Sequence, residues 1–328
     1  MTYDFTAIEA KKRRLDAHRP FPPALIRNLD DWFTTELTYT SNAIEGNTLS
    51  RAETALIVEK HLTVEGKTIT EHLEAINHAE AYRWITRLVP LKRTQLSERH
   101  ILDLHRIILQ KIDDANAGRY RNVSVRIAGS RAIMPNPAKV PRLMEEFIAW
   151  LRTGRGHELI ISADAHFRLV SIHPFVDGNG RAARLLMNLL LMQSGYPPAI
   201  IRPEERKRYI DSIEAGQLGR SLDAYYHLVF ACLDRSLDMY LGAVGEEKEV
   251  TRVLSEKLLQ IGALARLTGE TVPTIRYWTH QGILDVASRS PGGYQLYSAS
   301  QIGVVKQIQT LQKKRRTLTE IKQALSSR

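Results

Sequence analysis

His173-Pro174-Phe175-Val176-Asp177-Gly178-Asn179-Gly180-Arg181-Ala182-Ala183-Arg184 places a proton acceptor, a metal ligand, a backbone anion cradle and two guanidiniums in one short stretch of chain. The glycines flanking Asn179 let the main chain turn so that successive N–H groups point at one anion. The apolar run after Arg181 predicts a helix that begins there, with its positive end toward the same anion. On that helix Arg181 and Arg184 are three apart and share a face, aimed at one anionic target, while Leu185, Leu186, Leu189 and Leu190 form the buried side. Asp177 offers a hard carboxylate oxygen that suits Mg²⁺ beside phosphates. His173 titrates where a hydroxyl nucleophile can be relieved of its proton, and Phe175 reads as the anchor that buries one side of the loop. Any one of these features is a common turn, a loop histidine or a solvated charge. Together they are the equipment of phosphoryl chemistry, and the absence of a Walker lysine excludes a P-loop.

Outward from this loop the chain reads as helical. Its 328 residues, 43% of them hydrophobic, can bury a core and suggest about two domains. From Leu29 to about Leu241 the apolar spacing is that of helices. The segment Arg121 to Ile127 alternates through Val123, Val125 and Ile127 and ends at Gly129-Ser130, which predicts a short hairpin or flap reaching to Pro135-Asn136-Pro137. Val140 to Leu151 and Ala163 to Ile172 read as helices, the second feeding the loop. Gly195, Pro197 and Pro198 end the helix that starts near Asn179. The polar run Gly245 to Glu249 reads as a linker, so the expected organisation is a helical region over 1–110, a core over 111–244, a linker over 245–257 and a small domain over 258–328.

Charge separates the two parts. The whole chain carries +10, yet from Thr251 onward twelve lysines and arginines face four acidic residues, a net of +8 that leaves +2 for the rest. A basic module of that size is built like a polyanion binder. No apolar segment follows the Lys11 to Arg14 cluster, and the longest hydrophobic run, Leu185 to Met192, is short and interrupted by Asn188. The reading therefore expects no secretory signal and no membrane partner. Cys232 stands alone, which rules out an intrachain disulfide and fits a reducing cytoplasm.

The stretch 173–184 resembles the Fic motif, His-x-Phe-x-(Asp/Glu)-Gly-Asn-Gly-Arg-x-x-Arg, at every fixed position. The resemblance implies an all-α Fic-type fold with a β-hairpin flap that pins a target chain by strand addition. It implies transfer of AMP from ATP to a Tyr, Thr or Ser hydroxyl of a protein, or of the enzyme itself. By the same resemblance His173 is the general base and Asp177 holds Mg²⁺. Gly178, Asn179 and Gly180 shape the anion hole, Arg181 and Arg184 hold the triphosphate, and Tyr209 lies near the adenine.

Upstream, Thr40-Ser41-Asn42-Ala43-Ile44-Glu45-Gly46-Asn47 puts Ser41 and Glu45 four apart, with Gly46 a good helix stop. Glu45 then sits in a last helical turn, where a carboxylate costs about 0.3–1 kcal/mol unless a cation answers it. Ser-x-x-x-Glu-Gly resembles the inhibitory motif of Fic proteins with an N-terminal inhibitory helix, here near residues 29–46. The resemblance implies a Glu45–Arg184 salt bridge in the place of the ATP γ-phosphate.

In the basic module, Ile261 to Trp278 contains two short amphipathic segments about Thr268-Gly269, which is helix-turn-helix spacing. The second would begin near Val272 or Pro273, with Thr274, Arg276 and Tyr277 near its exposed start. Ser290 to Tyr297 reads as a glycine-turned hairpin, and Ser298 can cap a third helix with Ile302, Val305 and Ile308 inward. The pattern resembles a MerR-type winged helix, which implies double-stranded DNA as partner, with Arg289 among the contacts. Gln295 stands where that family often has a wing arginine, and no long pairing helix follows, so two-fold DNA binding would need a homodimer made by the Fic part. Small winged helices also dock proteins. A different class of reading makes the chain a transcription regulator whose Fic part only senses nucleotide; a third keeps the site but uses another nucleotide or removes AMP.

Overall fold

The computed structural model describes residues 3–127, 129–253, 258–289, 295–298, 300–313, 316, 320 and 322. The first helices are α1 (Thr6–Asp16), α2 (Pro23–Glu45), α3 (Arg51–Lys60), α4 (Ile69–Leu88) and α5 (Glu98–Leu109). They are followed by α6 (Val140–Thr153), α7 (Glu158–Ile172), α8 (Asn179–Gln193), α9 (Arg206–Gln217) and α10 (Asp223–Val253). Their boundaries have local causes. Pro23 opens α2 with its pre-set φ, and Gly46 closes it in the left-handed region at φ 102°. There Gly46 N–H bonds the Ala43 carbonyl and Asn47 N–H the Asn42 carbonyl, the paired bonds of a Schellman stop. Ser50 with Glu53 and Thr68 with Glu71 form reciprocal capping boxes at the starts of α3 and α4.

Packing follows from the apolar stripes. Leu29, Phe33, Leu37 and Ile44 line the inner face of α2. Each such side chain removed from water stabilises the fold by about 1.5–3 kcal/mol. α8 is central: it packs on α2, α4, α5 and α7, and Arg181 to Leu191 are buried without interruption. A helix buried all round must satisfy its polar groups inside. Asn188 does so by accepting from Ala199 N–H at 2.9 Å and donating to its carbonyl at 3.3 Å, which also pins the segment after the Gly195 stop.

One expectation needs correction. The flap segment from 121 to 137 has a turn closed by Ser130 N–H on the Ile127 carbonyl, but its described residues form no strand ladder. Its shape comes from Arg121, whose Nη1 donates to the Val123 carbonyl at 2.9 Å and Nη2 to the Pro135 carbonyl at 2.6 Å. A side-chain brace thus stands where backbone pairing was expected, and Pro135 and Pro137 have no N–H to offer a ladder. The expected linker is helical through Val253, as the continuation of α10, because Glu246, Glu247, Lys248 and Glu249 are good helix formers. Residues 254–257 lie outside the described residues.

The chain divides into two compact units, Met1–Leu241 and Gly242–Arg328. In the second, β1 (Leu259–Gln260), α11 (Ile261–Thr268), α12 (Val272–His280), β2 (Ser288–Arg289), β3 (Gln295–Tyr297) and α13 (Ser300–Lys313) follow in order. The antiparallel sheet has the order β1-β3-β2, with Leu259 opposite Tyr297 and Ser288 opposite Leu296. Leu264, Ile275, Trp278, Leu284, Tyr297, Val305 and Ile308 form its core. Gly269 ends α11 in the left-handed region, and Thr271 caps α12 by accepting from Thr274 N–H. The expected hairpin exists as β2 and β3, while its turn at 290–294 lies outside the described residues.

Candidate active site

α7 stops at Ile172 because Pro174 cannot extend it, and the residue before a proline is excluded from the helical region. His173 takes up the change of direction in the left-handed region at φ 51°, an uncommon conformation for a side chain with a Cβ. Arg121 holds it there: its backbone N–H bonds the Pro174 carbonyl at 2.9 Å and its Nε the His173 carbonyl at 2.7 Å. His173 Nδ1 lies 3.3 Å from the Val170 carbonyl, which can only accept, so Nδ1 carries the proton and Nε2 keeps its lone pair. Burial pushes the imidazole below its ordinary pKa and the Arg121 charge adds to this, against the Val170 bond, Glu45 and Asp177. A neutral base results.

Past His173, Phe175 is fully buried and stacks on His105 with centroids 3.6 Å apart and planes 3° from parallel. Asn179 clamps the loop in both directions. Its Oδ1 accepts from Phe175 N–H and its Nδ2 donates to the Phe175 carbonyl, both at 2.9 Å. His105 accepts from Gly118 N–H on Nδ1 and therefore donates from Nε2 to the Asp177 carbonyl at 2.9 Å. Gly178 turns the chain into α8 at φ 76°, and a Cβ there would press on the His105 ring at 3.3 Å. At Gly180 a Cβ would collide with Glu45 Oε1. The Glu45 carboxylate lies against the main chain that opens α8.

The same carboxylate holds Arg184. Its Nη2 donates to Glu45 Oε1 at 2.6 Å and to the Ser41 carbonyl at 3.0 Å, while Nε donates to Ser41 Oγ at 2.9 Å. The cation that a carboxylate at the end of α2 requires is thus Arg184, and Arg206 Nε adds a second by bonding the Ile44 carbonyl at 2.6 Å. Arg181 goes elsewhere. Only 2% exposed, it donates Nη1 to Glu74 Oε1 and Nη2 to Asp177 Oδ2, each at 2.8 Å. The two arginines therefore answer separate carboxylates instead of a single target, because each buried guanidinium needs its own counter-charge.

Tyr209 is 1% exposed, with its hydroxyl 2.6 Å from His166 Nε2 and hydrogen-bonded to Arg184. The residues missed in the sequence are Glu74, His105 and Arg121. Nothing in their local pattern marks them, since each acts through a partner far along the chain. On α12, Arg276 and Tyr277 are exposed and Thr274 is half-buried with its hydroxyl on Thr271. Arg289 stands in β2, with its side chain outside the described ones.

Among the described residues no three acidic, histidine or cysteine side chains gather as a metal cage. Asp177 is different in kind: its side chain is 66% exposed at the loop, with Oδ2 on Arg181. One exposed carboxylate fits Mg²⁺, which keeps several waters and takes its other oxygens from phosphates. No helix among the described residues is long and apolar enough to cross a membrane.

Residues 95–191 match the family model described as Fic/DOC family, and residues 259–328 match that of the MerR HTH family regulatory protein. A protein adenylyltransferase Fic from Aedes aegypti is 36% identical over 227 residues, 68% of this chain and 45% of that protein. Another from Drosophila grimshawi is 33% identical over 264 residues, 80% of this chain and 54% of that one. The chain spans about half the length of the curated relatives it matches. Fic-1 from C. elegans has a TM-score of 0.66 at 31% identity, covering 74% of this chain and 72% of that one. A Fic family protein from Desulfovibrio desulfuricans G20 shares the fold, with a TM-score of 0.60 over 91% of this chain at 21% identity. A complete loop motif, a matching family model over that loop and a fold shared at 31% identity lead to one conclusion: the chain belongs to the Fic/DOC family.

Proposed function

We propose that this chain is an autoinhibited protein adenylyltransferase that moves AMP from ATP to a Tyr, Thr or Ser hydroxyl of a target protein or of itself. The observation that carries the reading is the contact of Glu45 with both Gly180 and Arg184, which puts a side-chain anion at the start of α8. The relatives named protein adenylyltransferase support the reaction class. His173 Nε2 accepts the proton of the acceptor hydroxyl, whose oxygen attacks the α-phosphorus of ATP. A P–O bond forms to the acceptor, the bond to the β-phosphate oxygen breaks, and pyrophosphate leaves with that electron pair. The N–H groups opening α8 and the Arg184 guanidinium hold the triphosphate in line, so catalysis rests on positioning and charge neutralisation. Asp177 would hold Mg²⁺, which neutralises phosphate charge when bound. Residues 1–110 supply the inhibitory helix and residues 111–244 the catalytic core.

Labelled ATP tests this directly. The Glu45→Gly protein should carry label on itself or on lysate proteins, and adding His173→Ala should cut incorporation by roughly 10²–10⁴-fold, the usual share of a general base. Label that persists without the imidazole would remove His173 from its role. Nucleotide-dependent DNA affinity with no covalent label would favour a sensing regulator. Label from another nucleotide, or loss of AMP from a modified protein, would reassign the reaction at the same site.

The basic unit is proposed to bind double-stranded DNA through α12, a reading favoured by the MerR match and by the exposed Arg276 and Tyr277. Arg276→Ala should weaken duplex binding, and affinity should fall steeply between low and physiological salt as counterions compete. No retardation of any duplex at low salt would point to protein docking instead.

A further inference from the structure

Glu74 has no place in the chemistry above, yet its two oxygens join two parts of the site. Oε1 accepts from Arg181 Nη1 at 2.8 Å, and Oε2 accepts from Asn47 Nδ2 at 2.9 Å. Arg181 carries the link on to Asp177, so one chain of charged hydrogen bonds runs Asn47–Glu74–Arg181–Asp177. Asn47 is the residue whose N–H completes the stop of α2, two positions beyond Glu45. Its amide cannot turn over without loss: Oδ1 accepts from Leu49 N–H at 2.9 Å, and Nδ2 also donates to the Glu71 carbonyl at 3.2 Å. Leu49 in turn is buried against Ile57 and Ala75 in a small core of its own.

We infer that Glu74 is a positioning residue that sets two groups at once, the end of the inhibitory helix through Asn47 and the loop carboxylate Asp177 through Arg181. The inference rests on the autoinhibited-transferase reading and adds a regulatory residue to it. The electrostatics assign the weaker arm. Arg181 is buried and charged, with Asp177 as its other carboxylate partner, so a side chain at position 74 left with one acceptor oxygen gives that oxygen to Arg181. In Glu74→Gln the amide NH₂ then faces the pinned NH₂ of Asn47. Two donors meet, the Asn47 anchor is lost, and the last turn of α2 that carries Glu45 loosens.

The test is a comparison of backgrounds. Glu74→Gln alone should raise AMP incorporation from labelled ATP by roughly tenfold, the worth of one hydrogen bond to a charged group. In the Glu45→Gly protein it should raise nothing, because the carboxylate being released is already gone. Asn47→Ala breaks the same bond without touching Arg181 and should show the same dependence, so the inference does not depend on Glu74→Gln folding well. Glu74→Asp, tested for rescue, should restore part of the restraint. Amide exchange supplies a readout free of catalysis: residues 41–49 should exchange faster in Glu74→Gln than in the parent, while the Asn47 bonds to Leu49 and Glu71 are kept. Equal rate changes in both backgrounds, or unchanged exchange over 41–49, would overturn the inference while leaving the transferase reading intact. A Glu45→Gly protein that never labels would overturn that reading, and the exchange measurement would still decide the role of Glu74.

Discussion

The Glu45→Gly protein is expected to incorporate AMP about ten- to a hundredfold faster than the parent. The size follows from the contact removed, a carboxylate-to-guanidinium hydrogen bond at 2.6 Å onto a buried Arg184. Such a bond is worth about 1.5–3 kcal/mol, one to two factors of ten in an equilibrium between carboxylate and triphosphate. After the change Arg184 keeps its bonds to Ser41 Oγ and the Ser41 carbonyl, so it remains aimed at the loop with its outer nitrogen open to phosphate. The space over Gly180 that Glu45 Oε1 occupies is vacated at the same time. A buried guanidinium that loses its counter-charge destabilises the resting protein, and glycine adds about 1 kcal/mol at a helix end. The variant should therefore melt below the parent without nucleotide and gain more from saturating Mg-ATP. A variant no faster than the parent, with the same thermal response to ATP, would end the account of Glu45 as a brake.

The second large effect is an acid one. Burial holds His78 and His166 down to a pKa of about 3 and His105 down to about 4, well under the ordinary 6.5. Geometry explains the refusal of a proton. His166 accepts from the Tyr209 hydroxyl on Nε2 and donates from Nδ1 to Tyr225, whose own hydroxyl donates to the Ala163 carbonyl. His105 uses Nδ1 as the acceptor for Gly118 N–H, and His78 lies near the charges of Arg184 and Arg181. A pKa lowered in the folded state gives stability that is whole above the unfolded value and lost as pH falls toward the folded one. Each imidazole then contributes a slope of about 1.4 kcal/mol per pH unit below 6.5, so the three together approach 4 kcal/mol per unit between pH 6 and pH 4. Urea midpoints measured at pH 7, 6 and 5 should already fall across the first step and fall about twice as far across the second. Midpoints that hold steady to pH 5 would show that these imidazoles titrate normally.

Much of the site is legible in the sequence because it is local. Gly178 and Gly180, Asn179 folded back on Phe175, and Pro174 ending α7 all act within a few residues of themselves. The MerR-like unit is legible for the same reason: Gly269 stops one helix and Thr271 starts the next. The flap was misread because alternation in Val123, Val125 and Ile127 is the pattern of a strand, whereas Arg121 ties the segment by a side chain that alternation does not encode. The contact of Tyr209 with His166 was not legible, because an aromatic ring has the same pattern whether it faces a ligand or a buried histidine. That the linker begins as helix was not legible, because charged residues extend a helix as readily as they interrupt a core.

By itself the order of residues determined the conformations: where helices stop, which loop turns back on itself, and which side chains can carry a proton, a metal or an anion. Those depend on φ restrictions and hydrogen bonds over a few positions. Only the tertiary structure decided the pairings, namely Glu45 on Arg184 across 139 residues, Glu74 on Arg181 across 107 and His105 on the Asp177 carbonyl across 72. A buried charge takes whatever counter-charge the packed helices bring within about 3 Å, and that choice is made by the packing of α2, α4 and α5 against α8.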